Sequence, residues 1–343
     1  MFNFKDVGWK KLTAVGTISF FVIYFIVTSI HVQYASVRPH VLNENIIVYD
    51  EIDVVGYRTI SAARQLITML TNKTGGYMSN DKLPPYSWAD DMPNWEFGVI
   101  KVLRGYNIVL RENFTRSQTQ SVEDKDAVAA MTALNVDNLS WMFPSVEGWP
   151  WTKGEYVKSS ESLFALEKRL LDNNPADGNF FTRATSLATF INRSNKVLGS
   201  HSQLLSASVT KERINTDMTG DKNAEEAKPQ EYINSDILTS WLQIDDNFWE
   251  AQGSIYALSV ILKAMESDFY KVLEDKNALP ALRQIIVELE TAQGLVYSPL
   301  IINGAGLNST PYGLGANYSL ILANYVSRAS AALTDLEKLL KNG

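Results

Sequence analysis

The sequence contains no cysteine. Disulfides, zinc–thiolate centres and a thiol nucleophile are therefore excluded. Histidine is almost as scarce, with only His31, His40 and His201. His31 and His40 lie beside the N-terminal apolar run, and His201 lies near the apolar face of a helical stretch. A structural imidazole is commoner in such places than a ligand or base. A His-dependent hydrolase triad has little support, although serine routes that need no His stay open. Basic charge is not in excess either. The 343 residues carry a net charge of −7 and a pI near 5.2. That argues against nucleic acid as a partner, because phosphate backbones are held by basic surfaces. The glycine pairs Gly304-Ala305-Gly306 and Gly313-Leu314-Gly315 follow no convincing strand and lead into no Gly-Lys-Ser/Thr, so no phosphate loop and no cofactor are expected.

Long apolar runs are also few, and the one at Leu12 to Ile30 organises the rest. It is uncharged and just long enough to span a bilayer. Lys5, Lys10 and Lys11 precede it, and Glu44, Asp50, Glu51 and Asp53 follow. Lysine near a span tends to stay in the cytoplasm. The expected order is a cytoplasmic N-terminus over 1–11, a transmembrane helix over 12–30, a juxtamembrane connector over 31–53 and an external domain over 54–343. A cleaved signal peptide is the competitor, but around Val32-Gln33-Tyr34-Ala35 only Ala35 suits a cleavage site. A eukaryotic ectodomain of this size would usually carry disulfides. Their absence points to a bacterial inner membrane with the domain in the periplasm. Triplets such as Asn72-Lys73-Thr74, Asn138-Leu139-Ser140 and Asn192-Arg193-Ser194 are then chance rather than glycosylation sites.

Hydrophobic residues make up 45% of the chain, enough for a substantial core. Helical spacing predicts helices over 54–70, 95–113, 124–139, 160–171, 180–213, 235–275, 278–293 and 318–340. Asn94 is placed as a cap, and a short strand is possible at Asn45–Tyr49. The longest external helix carries Ile237, Trp241, Ile244, Phe248, Ala251, Ile255, Leu258, Leu262, Met265, Phe269 and Val272 at spacings of three and four. Trp249, Gly253, Tyr256, Ala257 and Val260 lie on its other side, which places it between layers. Its simplest antiparallel partner is the 180–213 helix, whose apolar face runs Ala184, Leu187, Ile191, Leu198 and Leu205. In the last helix the face is read as Ile321, Tyr325, Ala329, Ala332, Leu336 and Leu339. A mobile linker is expected over 219–232, its charged part being Thr219–Gln230, and a sub-boundary near 145–160. The expected fold is all-α: a transmembrane helix followed by an antiparallel helical-bundle periplasmic domain with long irregular loops.

Several stretches carry a family likeness. They are Gly75 to Asp81 (GGYMSND), Asp91 to Gly98 (DMPNWEFG), Arg116 to Ser121 (RSQTQS), Asp245 to Gly253 (DDNFWEAQG) and Ala278 to Glu290 (ALPALRQIIVELE). In these the chain resembles a bacterial family known as domain of unknown function 2333. The resemblance covers the anchor and most of the external region. It implies a proteobacterial inner-membrane location and carries over no active site.

Three groups of residues are candidates for function. Asp90, Asp91 and Glu96 lie in a loop with Tyr86, Trp88 and Trp95. Carboxylates beside aromatic platforms suit glycan cleavage, and peptidoglycan is the natural periplasmic substrate. The preferred role is plainer, with Asp90 and Asp91 capping a turn and the rings filling core or interface. Asp245, Asp246 and Glu250 form a second acidic cluster, and Asp246 and Glu250 share a helix face. A hard cation would fit if another element added oxygens; pairing with a helix end or with Arg283 is preferred for Asp245. Arg104, Arg116 and Arg283 are the natural counter-charges. The irregular stretch from Gly294 to Tyr318 carries Leu295, Leu300, Ile301 and Ile302, an apolar set that suits a partner or membrane contact. The overall expectation is a membrane-anchored interaction or scaffold module bound to the lipid bilayer and to other envelope proteins. An envelope glycan hydrolase and a lipid or small-molecule carrier using a cleft between helices are the alternatives.

If the anchor is retained, N-terminal sequencing of the protein from membranes begins ahead of Leu12. A start near Ser36 would mean a removed signal peptide.

Overall fold

Helix α1 (Trp9–Ala35) has 27 residues, about 40 Å at 1.5 Å per residue, against about 30 Å of bilayer hydrocarbon. Its stretch Thr13–Ile30 has a mean hydropathy of 2.0 and is only 6% buried. Val15, Ile18, Phe21, Ile23 and Val27 are exposed around its whole circumference. By length and composition it is a candidate membrane span, and apolar side chains all round are what lipid tolerates. The computed structural model describes residues 9–35, 54–73, 76–78, 91–117, 122–138, 152–172, 178–206, 212–214, 232–234, 241–294 and 318–342. The expected strand at Asn45–Tyr49 lies outside them.

The body comprises α2 (Tyr57–Asn72), α3 (Asp91–Val109), α4 (Lys125–Leu134), α5 (Thr152–Leu171), α6 (Ala184–Ser206), α7 (Trp241–Asp268), α8 (Tyr270–Asp275), α9 (Leu279–Thr291) and α10 (Tyr318–Asn342). The all-α expectation holds. The one addition is a short antiparallel ladder, β1 (Glu212–Ile214) on β2 (Tyr232–Asn234), with Arg213 opposite Ile233. Helix α6 thus ends at Ser206 rather than continuing to Arg213. Helix α3 starts at Asp91, ahead of the Asn94 expected as its cap, because Pro93 is tolerated in a first turn. Helix α5 begins at Thr152, within the stretch read as loop. Helix α4 starts where expected, since Asp124 Oδ1 accepts the N–H groups of Asp126 and Ala127 at 2.9 and 3.1 Å.

Helix α7 is the centre of the body. Ile244, Phe248, Ala251, Ile255, Leu258, Leu262 and Met265 are all buried, and so are Gly253, Tyr256, Ala257 and Val260 on the other side. It packs against α2, α3, α6 and α9, as a helix between layers should. Its most extensive partner, however, is α3 and not α6; α6 pairs chiefly with α10. The reason is a pair of glycines. A Cβ on Gly98 of α3 would overlap the Glu250 carbonyl and come within 2.8 Å of Ser254 N. A Cβ on Gly253 would overlap the Trp95 carbonyl and come within 2.8 Å of its carbonyl carbon. The two backbones touch, which lets Trp95 and Tyr256 pack ring to ring at 5.3 Å.

Two further expectations need correction. The helix read over 235–275 is broken: α7 stops at Asp268 and α8 resumes at Tyr270, with Phe269 fully buried between them. The buried face of α10 is Leu322, Val326, Ala329, Leu333, Leu336 and Leu340, whereas Ile321 is 54% and Leu339 40% exposed. Ala329 and Leu336 lie on both stripes, so the sequence alone leaves the rotation of the helix ambiguous.

Helix α3 ends in a wide π-helical turn, Leu110–Phe114, in which Thr115 N–H reaches the Leu110 carbonyl at 3.0 Å. The irregular segment 178–183 closes this end. Phe181 N–H donates to the Phe114 carbonyl at 2.7 Å, and Arg183 donates to the carbonyls of Asn113 at 3.0 Å, Ser117 at 2.7 Å and Arg116.

The glycine contact predicts that Gly98→Ala and Gly253→Ala each lower stability by about 3 kcal/mol, at the upper end of over-packing. Gly105→Ala and Gly199→Ala meet nothing within 4 Å and should raise it by about 0.5–1 kcal/mol through helix propensity. Urea midpoints of the four variants check this.

Candidate functional site

Glu96 is fully buried on α3. Its Oε1 faces Lys73 Nζ at 3.0 Å, at the C-terminal end of α2, and its Oε2 accepts the Met78 N–H at 2.8 Å. One carboxylate therefore ties Lys73, at the end of α2, to Met78. Tyr77, next to Met78, packs edge-on against Tyr156 of α5, with ring centroids 4.9 Å apart. Arg104 of α3 approaches the Tyr156 hydroxyl at 3.4 Å and donates to the carbonyls of Leu134 at 3.0 Å and Val136 at 2.7 Å. Burial pushes the Glu96 carboxyl up from 4.5 to about 7; the opposing pull of Lys73 and of the Met78 N–H is smaller. Burial likewise raises both tyrosines.

The other acids sit elsewhere. Asp246 accepts from Asn94 Nδ2 at 2.9 Å, and Glu250 pairs with Lys101 at 2.8 Å. Asn94 and Lys101 share one side of α3, while Glu96 projects about 200° around from Asn94. Glu96 therefore faces away from Asp246 and Glu250. Asp91 occupies the first turn of α3, where a negative charge suits the helix dipole, and Asp90 lies outside the described residues. Asp245 is buried, but Arg283 binds Glu266 at 2.7 Å instead of serving it. Arg116 pairs with Glu123 at 3.4 Å, and Arg104 donates to carbonyls. Among the described residues no three His, Asp or Glu side chains gather to hold a metal ion. Leu295, Leu300, Ile301 and Ile302 lie outside them, as do both glycine pairs and His40.

His201 sits under the glycine contact and is fully buried. Its Nε2 lies 2.9 Å from Ser254 Oγ, and Ser254 Oγ donates to the Gly98 carbonyl at 3.0 Å. With the serine proton committed to that carbonyl, the imidazole must donate through Nε2–H, leaving Nδ1 as an acceptor. Burial, helped by Lys101, lowers its pKa from 6.5 to about 3, so it stays neutral. Nδ1 has no hydrogen-bond partner among the described residues. The pair has the atoms of a nucleophile and a base, but among the described residues no carboxylate orients the ring, and the serine is 0% exposed. It is a structural bridge from α6 through α7 to α3.

Chemically, then, the described polar groups hold segments together. Glu96 has a proton affinity suited to acid–base work near neutrality, yet a general acid must reach the substrate, and no part of this side chain reaches the surface. Lys73, Tyr77 and the Ser254–Gly98 link were missed in the sequence. Glycine inside strong helical patterns at 98 and 253 was the available signal.

These features define a class: an all-α helical body preceded by an apolar helix long enough to cross a membrane. The chain belongs to a bacterial family described as "Uncharacterized protein conserved in bacteria (DUF2333)", whose family model matches residues 3–343. No curated protein and no solved structure matches the chain.

The raised Glu96 pKa fixes the sign of a pH effect. Between pH 4.5 and 7 the folded protein keeps a proton that the unfolded chain has released. Its contribution is complete below about pH 4.5 and is lost by about pH 7, roughly 3 kcal/mol in all. Urea midpoints across that window should fall for the wild type and fall much less for Glu96→Gln. Parallel profiles would mean that Glu96 does not hold the proton.

Proposed function

We propose that this chain is a single-pass protein of the bacterial inner membrane, with its helical body in the periplasm acting as an interaction or scaffold module for other envelope proteins. The observation that carries the reading is α1. Its apolar side chains are exposed on every side, whereas the apolar side chains of the body close into one continuous core. The lysines ahead of α1 and the acids after it support a cytoplasmic N-terminus. The absence of cysteine fits a bacterial compartment. The engagement of Glu96, Asp246 and Glu250 in holding helices together favours a binding body over a hydrolase. The apolar set Leu295, Leu300, Ile301 and Ile302 is the proposed contact element.

An alkaline phosphatase fused at Gly343 should be active, and an inactive fusion with a cytosolic reporter active in its place would refute the location. Purification in mild detergent should yield a second envelope protein at fixed stoichiometry. Leu300→Asp with Ile301→Asp should release it while the body stays folded. Repeated recovery of a lone monomer would refute the scaffold role.

A further inference from the structure

The described chain resumes at Val54, and several irregular pieces of backbone meet around Val54–Gly56. Gly56 is left-handed, with φ of +87°, and a Cβ at this position would come within 2.6 Å of Phe180 Cβ. Phe180 stacks on Phe114 at 5.0 Å and meets Phe269 edge-on at 5.9 Å; Phe114 and Phe269 are themselves 5.4 Å apart. Phe114 closes the wide turn after α3, and Phe269 is the break between α7 and α8.

Helix α2 has no side-chain cap of its own, because its N-cap residue is Gly56. The cap comes instead from the far end of α7. Asp268 accepts the Thr59 N–H at 2.8 Å and the Thr59 hydroxyl, and the Gly56 N–H also favours this carboxylate. An acid in the last turn of a helix opposes that helix's own dipole. The free N–H groups of α2 supply the compensation.

We propose that the Asp268–Thr59 clasp, with Gly56 seated on the Phe114–Phe180–Phe269 cluster, is a force-transmitting joint that fastens the membrane tether to the central helix. The inference rests on the reading that α1 is held in a bilayer. Tension along the tether arrives at Val54–Gly56 and acts on the first turn of α2. Helix ends open first, since they have the fewest partners. With the clasp closed, the load passes to α7, which α2, α3, α6 and α9 surround. With it open, the load unwinds α2 turn by turn.

The lack of native cysteine allows handles to be placed at will on the full chain in a lipid nanodisc. Handles at Val55→Cys and Asn342→Cys pull through the joint; handles at Gly294→Cys and Asn342→Cys avoid it. Under constant force on the first axis, Asp268→Asn should shorten the folded lifetime roughly tenfold, the factor attached to one charge-assisted hydrogen bond. It should also add an early step releasing the 16 residues of α2. The second axis should be unaffected. Thr59→Val, which keeps the carboxylate and the backbone bond, should act in the same direction more weakly and serves if the first variant does not fold. Equal shortening along both axes, or no change along the first, would overturn the proposal. Failure of membrane insertion would be read from the Gly343 fusion and would leave the two-axis result intact.

Discussion

The backbone of α3 lies against that of α7 at Gly98 and Gly253, where neither helix has room for a methyl group. Most of the body's arrangement depends on that closeness. It places Trp95 against Tyr256, lets Ser254 reach the Gly98 carbonyl, and brings Lys101 and Asn94 within reach of Glu250 and Asp246. Contacts of this kind tolerate little sliding, because packed interiors leave few voids into which a displaced helix could move. The polar bonds along the seam then fix the register of two helices whose apolar surfaces alone would permit several.

Three acids share a second pattern: each accepts a backbone N–H that lies at the end of a helix or outside one. Glu96 holds the Met78 N–H after α2 ends, Asp268 holds the Thr59 N–H before α2 begins, and Asp124 caps α4 while pairing with Arg169 at 2.7 Å. Glu167 pairs with Arg64 at 2.8 Å between α5 and α2. Burial raises the carboxyls of Glu96, Asp268 and Glu167 despite these partners. Desolvation thus makes each clasp sensitive to protonation while it excludes the group from chemistry at the surface.

Much of the fold was legible because helical periodicity is a local signal. The seam from Ile244 to Met265 and the face Ile60, Ala63, Ile67 and Leu70 are buried as their spacing requires. Partner choice was less legible. The apolar stripe of α6 suggested a match for α7, but Ser194 and His201 interrupt that stripe, and steric closeness at two glycines outranked apolar matching. The rotation of α10 was ambiguous for a related reason: two apolar stripes overlap, and only the neighbours α6 and α9 select between them. At the candidate site, the sequence marked Glu96, Asp246 and Glu250 as notable acids, and each is indeed engaged. It could not show that they point to opposite sides of α3, since that depends on which helices flank it. Nor could it show Asp268 as the cap of α2, because the two are 209 positions apart.

The wide turn at Leu110–Phe114 holds one residue more than an α-helical turn would. A turn closed from residue i to i+5 sweeps nearly the same angle as an α-helical turn closed from i to i+4. The extra residue is therefore absorbed where it stands, and Phe114 keeps its place against Phe180 and Phe269. A chain one residue shorter at this point would form an ordinary turn and still present its ring to the nest, so this helix end tolerates a change in length that a regular one would pass on.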